Sequence, residues 1–478
     1  MPIPPPLLPR GTPADAGVSS AAVLALLDRL ERGPVEPHSL VVVRHGRVVV
    51  EAGWAPYRAD HPQLLYSLTK SFTSAAVGLA VADGLLSPDD RVVDVLPDHV
   101  PPDAPAQAHR LTVEHLLTMT TGHVPDGLGR AWALEPQDLT RGFLRLPFAH
   151  AEGTRHHYED ATTYVLARMV ERVTGRDLPG LLDERLLGPM GVTGAEWDRV
   201  ASGAVFGFHG LHLTTHAVAA FGELLLRDGR WGDGQLLPRD WVRRATSPLV
   251  ASTSYRDDDA ADAPDFAQGY GYQVWTTRHG YLGNGAFGQL CVVVPSHDLV
   301  VAMTAEGEAQ AQLDALWECL LPGLDAGPRS AGPGDEDLTL RLRGLALPCV
   351  PGGSPDAHVT DAVLDPTAPD SALPDGGAVR ITPADGGWRV RLADVDLEVG
   401  HGVWRRAEPL GRPVVASGAW RDGRWCAELR PLDLPHRVRL DVDPAAGTAT
   451  ATWSTVPLTT PDLRLHLRTP LMTRPDVA

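Results

Sequence analysis

The order of apolar and polar positions divides the chain into a mixed first part and a strand-rich second part. Near the start, two apolar β-branched runs flank His45-Gly46-Arg47, which predicts a β-hairpin. Apolar residues at helical spacing then predict helices at 65–84, 111–122, 161–175, 213–229 and 238–248. Strand-like runs at 269–275 and 289–305, followed by a helix at 310–324, complete this part. This order predicts an α+β fold in which helices flank an antiparallel sheet.

The second part follows a Gly- and Pro-rich stretch and loses the helical spacing. Short runs of alternating apolar and polar residues are separated by turn signals such as Asp385-Gly386-Gly387 and Asp422-Gly423. This pattern predicts an all-β sandwich or a lipocalin-like antiparallel barrel. We predict three segments: a first domain at 1–325, a linker at 326–335 and a C-terminal β domain at 336–478.

Composition and charge narrow the possible partners. The 478 residues are 43% hydrophobic and 21% charged, as in ordinary globular proteins. The formal net charge of −18 argues against a nucleic-acid partner, because no basic stripe is available to neutralise phosphates. No apolar run is long enough for a membrane span, and the N-terminus lacks a signal-peptide pattern. We therefore expect no membrane partner and a cytoplasmic location.

The sequence predicts neither a metal nor another cofactor. Its four cysteines form no C-x-x-C pair, and His156 and His157 are adjacent and so point in different directions. Gly283, Gly285 and Gly288 have the spacing of a dinucleotide fingerprint. A strand-like run follows them, however, where that fingerprint would open a helix.

The single lysine of the chain is the strongest candidate for chemistry. Lysine and arginine total 42, and all of them except Lys70 are arginine. A buried lysine, unlike an arginine, is able to lose its proton near neutral pH. Lys70 follows Ser67 by three residues, so the two side chains would share one face if the helix begins at Ser67. A serine hydroxyl needs an adjacent base to become a nucleophile, and we predict Ser67 as nucleophile and Lys70 as base.

Two further segments carry candidate groups. Tyr158 and Asp160 precede a predicted helix, where both side chains could project into a cleft. The alternative is a half-buried tyrosine with Asp160 as an ordinary helix cap. The Gly-rich run 283–289 enters a strand, where a substrate carbonyl could approach bare backbone N–H groups. A plain β-turn is the alternative there.

Taken together, these elements resemble the signature of the serine β-lactamase-like hydrolases, which include class C β-lactamases, penicillin-binding proteins and family VIII esterases. The resemblance covers about residues 12–322. It implies a β-lactamase/transpeptidase-like fold with a helical subdomain, and acyl-enzyme chemistry on a small ester, amide or peptide. It also implies that Lys70 and Tyr158 share the base and acid roles, while the backbone N–H groups of Ser67 and Ala286 form an oxyanion hole. The other residues expected at the substrate are Asp160, Asn284, Gly285, Phe287 and Gln289.

Two positions depart from the family pattern. The third motif usually opens with Lys or His, whereas this chain has Gly283 there, and its nearest basic residues are Arg278 and His279. Asp160 stands where class C enzymes carry Asn. Both departures predict poor binding of a substrate carboxylate. The leading hypothesis is hydrolysis of esters or amides through an acyl-Ser67 intermediate. Acyl transfer to an amine, such as peptide cyclisation, and non-catalytic binding or sensing on the same scaffold are the alternatives.

Overall fold

Helical residues outnumber strand residues in the first part of the chain. The computed structural model describes residues 6–125, 127–199, 203–252, 263–325, 327–328, 330, 332–354 and 359–468. In chain order its α-helices are α1 (Ser20–Arg32), α2 (Thr69–Ala82), α3 (Val92–Val95), α4 (Val113–Leu117), α5 (Gly127–Leu134), α6 (Leu139–Phe143), α7 (Asp160–Thr174), α8 (Leu178–Leu182), α9 (Thr215–Leu226), α10 (Arg239–Ala245), α11 (Ala309–Ala315), α12 (Pro333–Arg343) and α13 (Leu463–His466). Within these ranges no helix is both long and apolar enough to span a membrane.

Strands from both ends of the first part form one sheet. The strands of this part are β1 (Glu36–Arg44), β2 (Arg47–Gly53), β3 (Gln63–Leu64), β4 (Glu196–Trp197), β5 (Leu211–Leu213), β6 (Arg230–Trp231), β7 (Gly234–Gln235), β8 (Trp275–Thr276), β9 (Tyr281–Gly285), β10 (Gln289–Val294) and β11 (Leu299–Glu306). The main sheet has the order β2-β1-β11-β10-β9-β8, and its neighbouring strands pair antiparallel. The predicted hairpin is the β1–β2 pair.

Helices cover both faces of this sheet. Along β1, Leu40 and Val42 pack into a core with α1 and α11, whereas Val41 and Val43 pack into a core with α2 and α9. The alternation follows from the strand period of two, and it explains why β1 is an uninterrupted apolar run. The predicted α+β arrangement of a sheet between helices is confirmed.

A closed barrel of eight strands forms the second part. Its strands, together with the short β16 at its edge, are β12 (Thr360–Leu364), β13 (Gly377–Ala384), β14 (Gly387–Leu392), β15 (Val395–Gly400), β16 (Arg405–Ala407), β17 (Val414–Arg421), β18 (Arg424–Pro431), β19 (Val438–Asp443) and β20 (Thr448–Trp453). Most pairs are antiparallel, and the parallel pairs β12–β20 and β15–β17 complete the ring. The structure therefore selects the barrel from the two predicted β architectures.

Ion pairs and apolar contacts join the barrel to the first part. Arg430 and Arg437 of the barrel both bond to Glu36 of β1. Burial alone would raise the pKa of Glu36, but hydrogen bonds from His38 and Arg430 hold it well below its usual range. Leu434 packs against Leu64 and Tyr66, and the barrel thus lies directly against the segment that contains Ser67.

The region of the predicted linker contains a helix that the sequence analysis missed. Helix α12 follows Gly332 directly and packs on α1, where Leu338 is buried and Ser20 bonds to Asp335. Its apolar face is so narrow that periodicity did not reveal it. Residues 326, 329 and 331 lie outside the described residues, and the boundaries at 325 and 335 stay a prediction.

Candidate active site

A tight turn presents Ser67 at the start of α2. Tyr66 has a left-handed backbone conformation with φ of 47°, and a 3₁₀ turn over Tyr66–Leu68 continues into the helix. The α-helix therefore begins at Thr69, four residues after the start of the predicted helix at residue 65, because the strand β3 and the turn occupy residues 63–68. The predicted spacing of Ser67 and Lys70 survives, since the turn and the helix are continuous.

Lys70 contacts Ser67 directly. Its Nζ donates to Ser67 Oγ at 2.7 Å and to the carbonyl oxygen of Phe208 at 3.2 Å. The same Nζ lies 2.6 Å from Asp160 Oδ1, although only 2% of the Lys70 side chain is exposed. Burial lowers the pKa of Lys70, and the Asp160 carboxylate opposes this shift because it favours the ammonium form. The net lowering favours an amine that gives up its proton more readily than a free lysine.

An extended residue before α7 directs Tyr158 and Asp160 to one side of the backbone. Glu159 has φ −143° and ψ 112°, and side chains alternate along an extended backbone. The Glu159 carboxylate is buried and lies 3.0 Å from His123 Nδ1, which anchors the segment. Lys70 Nζ lies 4.8 Å from the centre of the Tyr158 ring and bonds to Asp160 on the same side. The structure thus brings the predicted lysine, tyrosine and aspartate together beside the predicted nucleophile.

Strand β9 passes so close to the Ser67 turn that its glycines are required. A Cβ at Gly285 would lie 2.0 Å from the backbone oxygen of Leu65, a contact that no side-chain movement would relieve. A Cβ at Gly283 would lie 2.3 Å from Cδ1 of Leu68. The Gly-rich run therefore serves both as a strand that approaches Ser67 and as the entry to a turn.

The turn after β9 carries the other residues predicted at the substrate. A cavity of about 220 Å³ is lined by a group that includes Asn284, Gly285, Ala286 and Phe287. Gln289, in contrast, is fully buried, and its Nε2 donates to the carbonyl oxygens of Phe287 at 3.1 Å and Ala305 at 2.8 Å. The prediction that Gln289 binds substrate is corrected: its side chain supports the turn.

A second, smaller cavity opens beside the nucleophile candidate. Its volume is about 120 Å³, and its lining residues are mostly apolar or aromatic: Tyr66, Ser67, Leu128, Trp132, Asp160, Phe206, Phe208, His209, Leu458 and Thr459. Larger cavities, of about 900, 690 and 460 Å³, lie elsewhere among the described residues and do not include Ser67. We call the cavity of about 120 Å³ the acyl pocket and the cavity of about 220 Å³ the β9 groove.

The basic side chains nearest to β9 in sequence, Arg278 and His279, contact residues outside the acyl pocket. Arg278 lies 2.7 Å from Asp265 and 2.8 Å from Asp314, and the ring of His279 packs against Trp317 with centres 4.7 Å apart. Across the described ranges, no group of three or more His, Cys, Asp or Glu side chains is placed to hold a metal ion.

Several pocket residues were not predicted from the sequence. Phe206, Phe208 and His209 form a run of rings before β5, and in a chain with only 6% aromatic residues that run was an available signal. Burial lowers the pKa of His209 to about 4, so its ring is neutral near pH 7. Leu458 comes from the barrel, nearly 400 residues from Ser67, and no local pattern points to it.

A comparison with models of known protein families identifies the family of this chain. The sequence model described as Beta-lactamase matches residues 27–318. The chain belongs to the β-lactamase family. The matched range contains Ser67, Lys70, Tyr158 and the 283–289 run, and the family is one of serine hydrolases.

Individual β-lactamase-family relatives are distant. Esterase EstB of Burkholderia gladioli is 31% identical over 209 residues, which cover 38% of this chain and 53% of that protein. The 6-aminohexanoate-dimer hydrolase of Paenarthrobacter ureafaciens is 26% identical over 315 residues, or 61% of this chain and 78% of that protein. The solved structure of EstCE1, a hydrolase with promiscuous acyltransferase activity, is 17% identical with a TM-score of 0.51. It covers 64% of this chain and 99% of its own, and shows the shared fold.

Proposed function

We propose that this β-lactamase-family protein hydrolyses neutral esters or amides of short carboxylic acids through an acyl-Ser67 intermediate. The contact of 2.7 Å between Lys70 Nζ and Ser67 Oγ carries the proposal, together with the lowered pKa of Lys70. The names of the relatives support the reaction class, since one is an esterase and another hydrolyses the 6-aminohexanoate dimer.

In the first half of the reaction, neutral Lys70 takes the hydroxyl proton while Ser67 Oγ bonds to the substrate carbonyl carbon. The carbonyl oxygen becomes an oxyanion, and the backbone N–H groups of Ser67 and Ala286 stabilise it. The bond to the leaving group then breaks, and that group receives the proton from Lys70 through Tyr158. In the second half, water attacks the acyl carbon and gives its proton to the same relay, so that the acid is released and Ser67 is restored.

The charges around Ser67 favour an uncharged acyl group. The Asp160 side chain is 35% exposed and lines the acyl pocket, where it would repel a carboxylate next to the scissile bond. Gly283 offers no cation, and Arg278 is bonded to two acids. A carboxylate at this position would meet the negative charge of Asp160, and no arginine of the described residues lines the acyl pocket to compensate it.

Turnover of a matched pair of esters tests the proposal. p-Nitrophenyl butyrate should be hydrolysed, and the p-nitrophenyl monoester of succinate should show a kcat/KM at least about tenfold lower, because like charges cost about 1.4 kcal/mol or more. Benzylpenicillin should also be a poor substrate. The matched control is Ser67→Ala, which should lose turnover of both esters. Equal activity in Ser67→Ala would contradict the assigned nucleophile, and a preference for the succinate ester would contradict the assigned charge selectivity.

A further inference from the structure

The loop at 454–460, between β20 and α13, reaches from the barrel into the active site. Its first residues, Ser454 and Thr455, donate hydrogen bonds to Glu306 Oε1 at 2.6 and 2.9 Å. Glu306 is the last residue of β11, the strand next to β10 in the main sheet, and its side chain is buried. These two bonds fix the start of the barrel loop to the sheet that carries β9.

A chain of hydrogen bonds continues from this anchor to the residue before Ser67. Thr455 donates to Glu306, so its oxygen is left to accept from His436 Nδ1–H, 2.7 Å away. His436 Nε2 then accepts from the Tyr66 hydroxyl at 2.5 Å, since burial lowers the pKa of His436 and keeps the ring neutral. The loop and the turn of the nucleophile are thus bonded to each other through Tyr66.

Leu458 stands at the centre of this arrangement. The residue lines both the acyl pocket, which also includes Ser67, and the β9 groove. It is 65% exposed and belongs to none of the hydrophobic cores. Ligand pockets are lined mostly by apolar side chains, and an apolar residue that lines two adjoining cavities is placed to meet a ligand in either.

The size and lining of the acyl pocket indicate what that ligand is. An apolar cavity of about 150 Å³ accommodates benzene. The acyl pocket is smaller, at about 120 Å³, and its walls include Leu128, Phe206 and Phe208. It therefore suits an alkyl group of about four or five carbons, and neutral His209 adds no charge to it.

We propose that Leu458 of the barrel is a specificity-determining residue that limits the acyl group to a short alkyl chain. Leu458 lines both the acyl pocket and the β9 groove, so shortening its side chain should enlarge the space where the two cavities meet this residue. The barrel thereby takes part in substrate selection by the first domain. This inference rests on the proposed hydrolase function and adds the size of its substrate.

A series of p-nitrophenyl esters from acetate to decanoate tests the inference. For the full-length wild-type protein, kcat/KM should be highest near butyrate and valerate. In Leu458→Ala, the kcat/KM for the octanoate ester divided by that for the butyrate ester should rise about tenfold or more. This is the size of effect that one methylene group has on kcat/KM in an apolar pocket. Leu458→Trp should shift the preference the other way, toward acetate. The matched control is Leu340→Ala on α12, where the side chain is similarly exposed at 68% but lies outside both cavities, and it should leave the ratio unchanged.

Each outcome separates this inference from the proposed function. Because Leu458 is exposed, its variants should keep the melting temperature of the wild type, and a changed ratio then reports on the pocket. If wild type hydrolyses the esters and both Leu458 variants keep its ratio within about twofold, the inference is overturned while the hydrolase function stands. If wild type hydrolyses no ester and Ser67 forms no adduct with a serine-directed probe, the proposed function fails, and the inference fails with it.

Discussion

Replacing Lys70 by arginine separates two roles that a cation beside Ser67 could have. Arginine keeps the positive charge and the ion pair with Asp160, but its pKa stays above about 12 and it does not act as a base. Lys70 Nζ lies 2.7 Å from Ser67 Oγ, and burial lowers its pKa, as a general base requires. We expect Lys70→Arg to lose most of the acylation rate.

The expected fall in the acylation rate of Lys70→Arg depends on which of the two roles Lys70 has. Loss of general-base catalysis typically costs 10²–10⁴-fold, or about 2.7–5.5 kcal/mol of transition-state stabilisation. Lys70 could instead act only as a cation that bonds to Asp160 and to the carbonyl oxygen of Phe208. Arginine would then keep both bonds, and the acylation rate of Lys70→Arg would fall by no more than about tenfold. The larger guanidinium must also fit where the lysine side chain is 2% exposed, at a cost in stability of about 1–3 kcal/mol.

The assay is the release of p-nitrophenol from p-nitrophenyl butyrate between pH 5 and 10, with Lys70→Met as the reference for a side chain without charge. In wild type the acylation rate should rise with pH as the amine loses its proton, and the lowered pKa of Lys70 places this rise below the range of a free lysine. Lys70→Arg should lack the rise and match Lys70→Met. Melting temperatures show whether both variants are folded. An arginine variant within about tenfold of wild type would refute the reasoning and leave Tyr158 as the first candidate base.

Two other variants test the groups around the amine. Asp160→Asn removes the carboxylate that raises the pKa of Lys70, so the acylation rate should begin to rise at a lower pH than in wild type. A rise at the same pH as in wild type, or at a higher pH, would contradict the assigned ion pair. Tyr158→Phe keeps the ring stacked on Trp275, with centres 5.7 Å apart, and removes only the hydroxyl. It should lower kcat by about 10²-fold or more, most strongly for esters with poor leaving groups, and a kcat equal to that of wild type would exclude Tyr158 from the proton relay.

Local spacing was sufficient to predict part of the site. Ser67 and Lys70 are three residues apart at a helix start, so their proximity follows from backbone geometry alone, even though the α-helix begins at Thr69. The glycines at 283 and 285 were also informative, because close packing of β9 on the turn leaves no room for a side chain. The first sheet and the barrel were predictable from apolar periodicity in the same way.

Features that depend on distant contacts were not predictable. The ion pair of Lys70 with Asp160 joins residues 90 apart, and no periodicity reports on it. Leu458 reaches the pocket only because Glu306 and His436 hold its loop, which is a property of the assembled domains. Gln289 was misassigned for a related reason: its side chain donates to the carbonyl oxygen of Ala305, which becomes its neighbour only when β10 and β11 pair.

The central claim is that Ser67 becomes acylated, and intact-mass measurement tests it most directly. A fluorophosphonate probe should add one label, and peptide mapping should place it on Ser67. Ser67→Ala should remain unlabelled, whereas Ser71→Ala should label as wild type does, because Ser71 lies one turn further along α2 and its hydroxyl donates to the carbonyl oxygen of Gln273 at 2.9 Å. A label on Ser67 that is lost only in Ser67→Ala is the predicted result. Equal labelling of Ser67→Ala, or a label mapped to any other residue, would contradict the account.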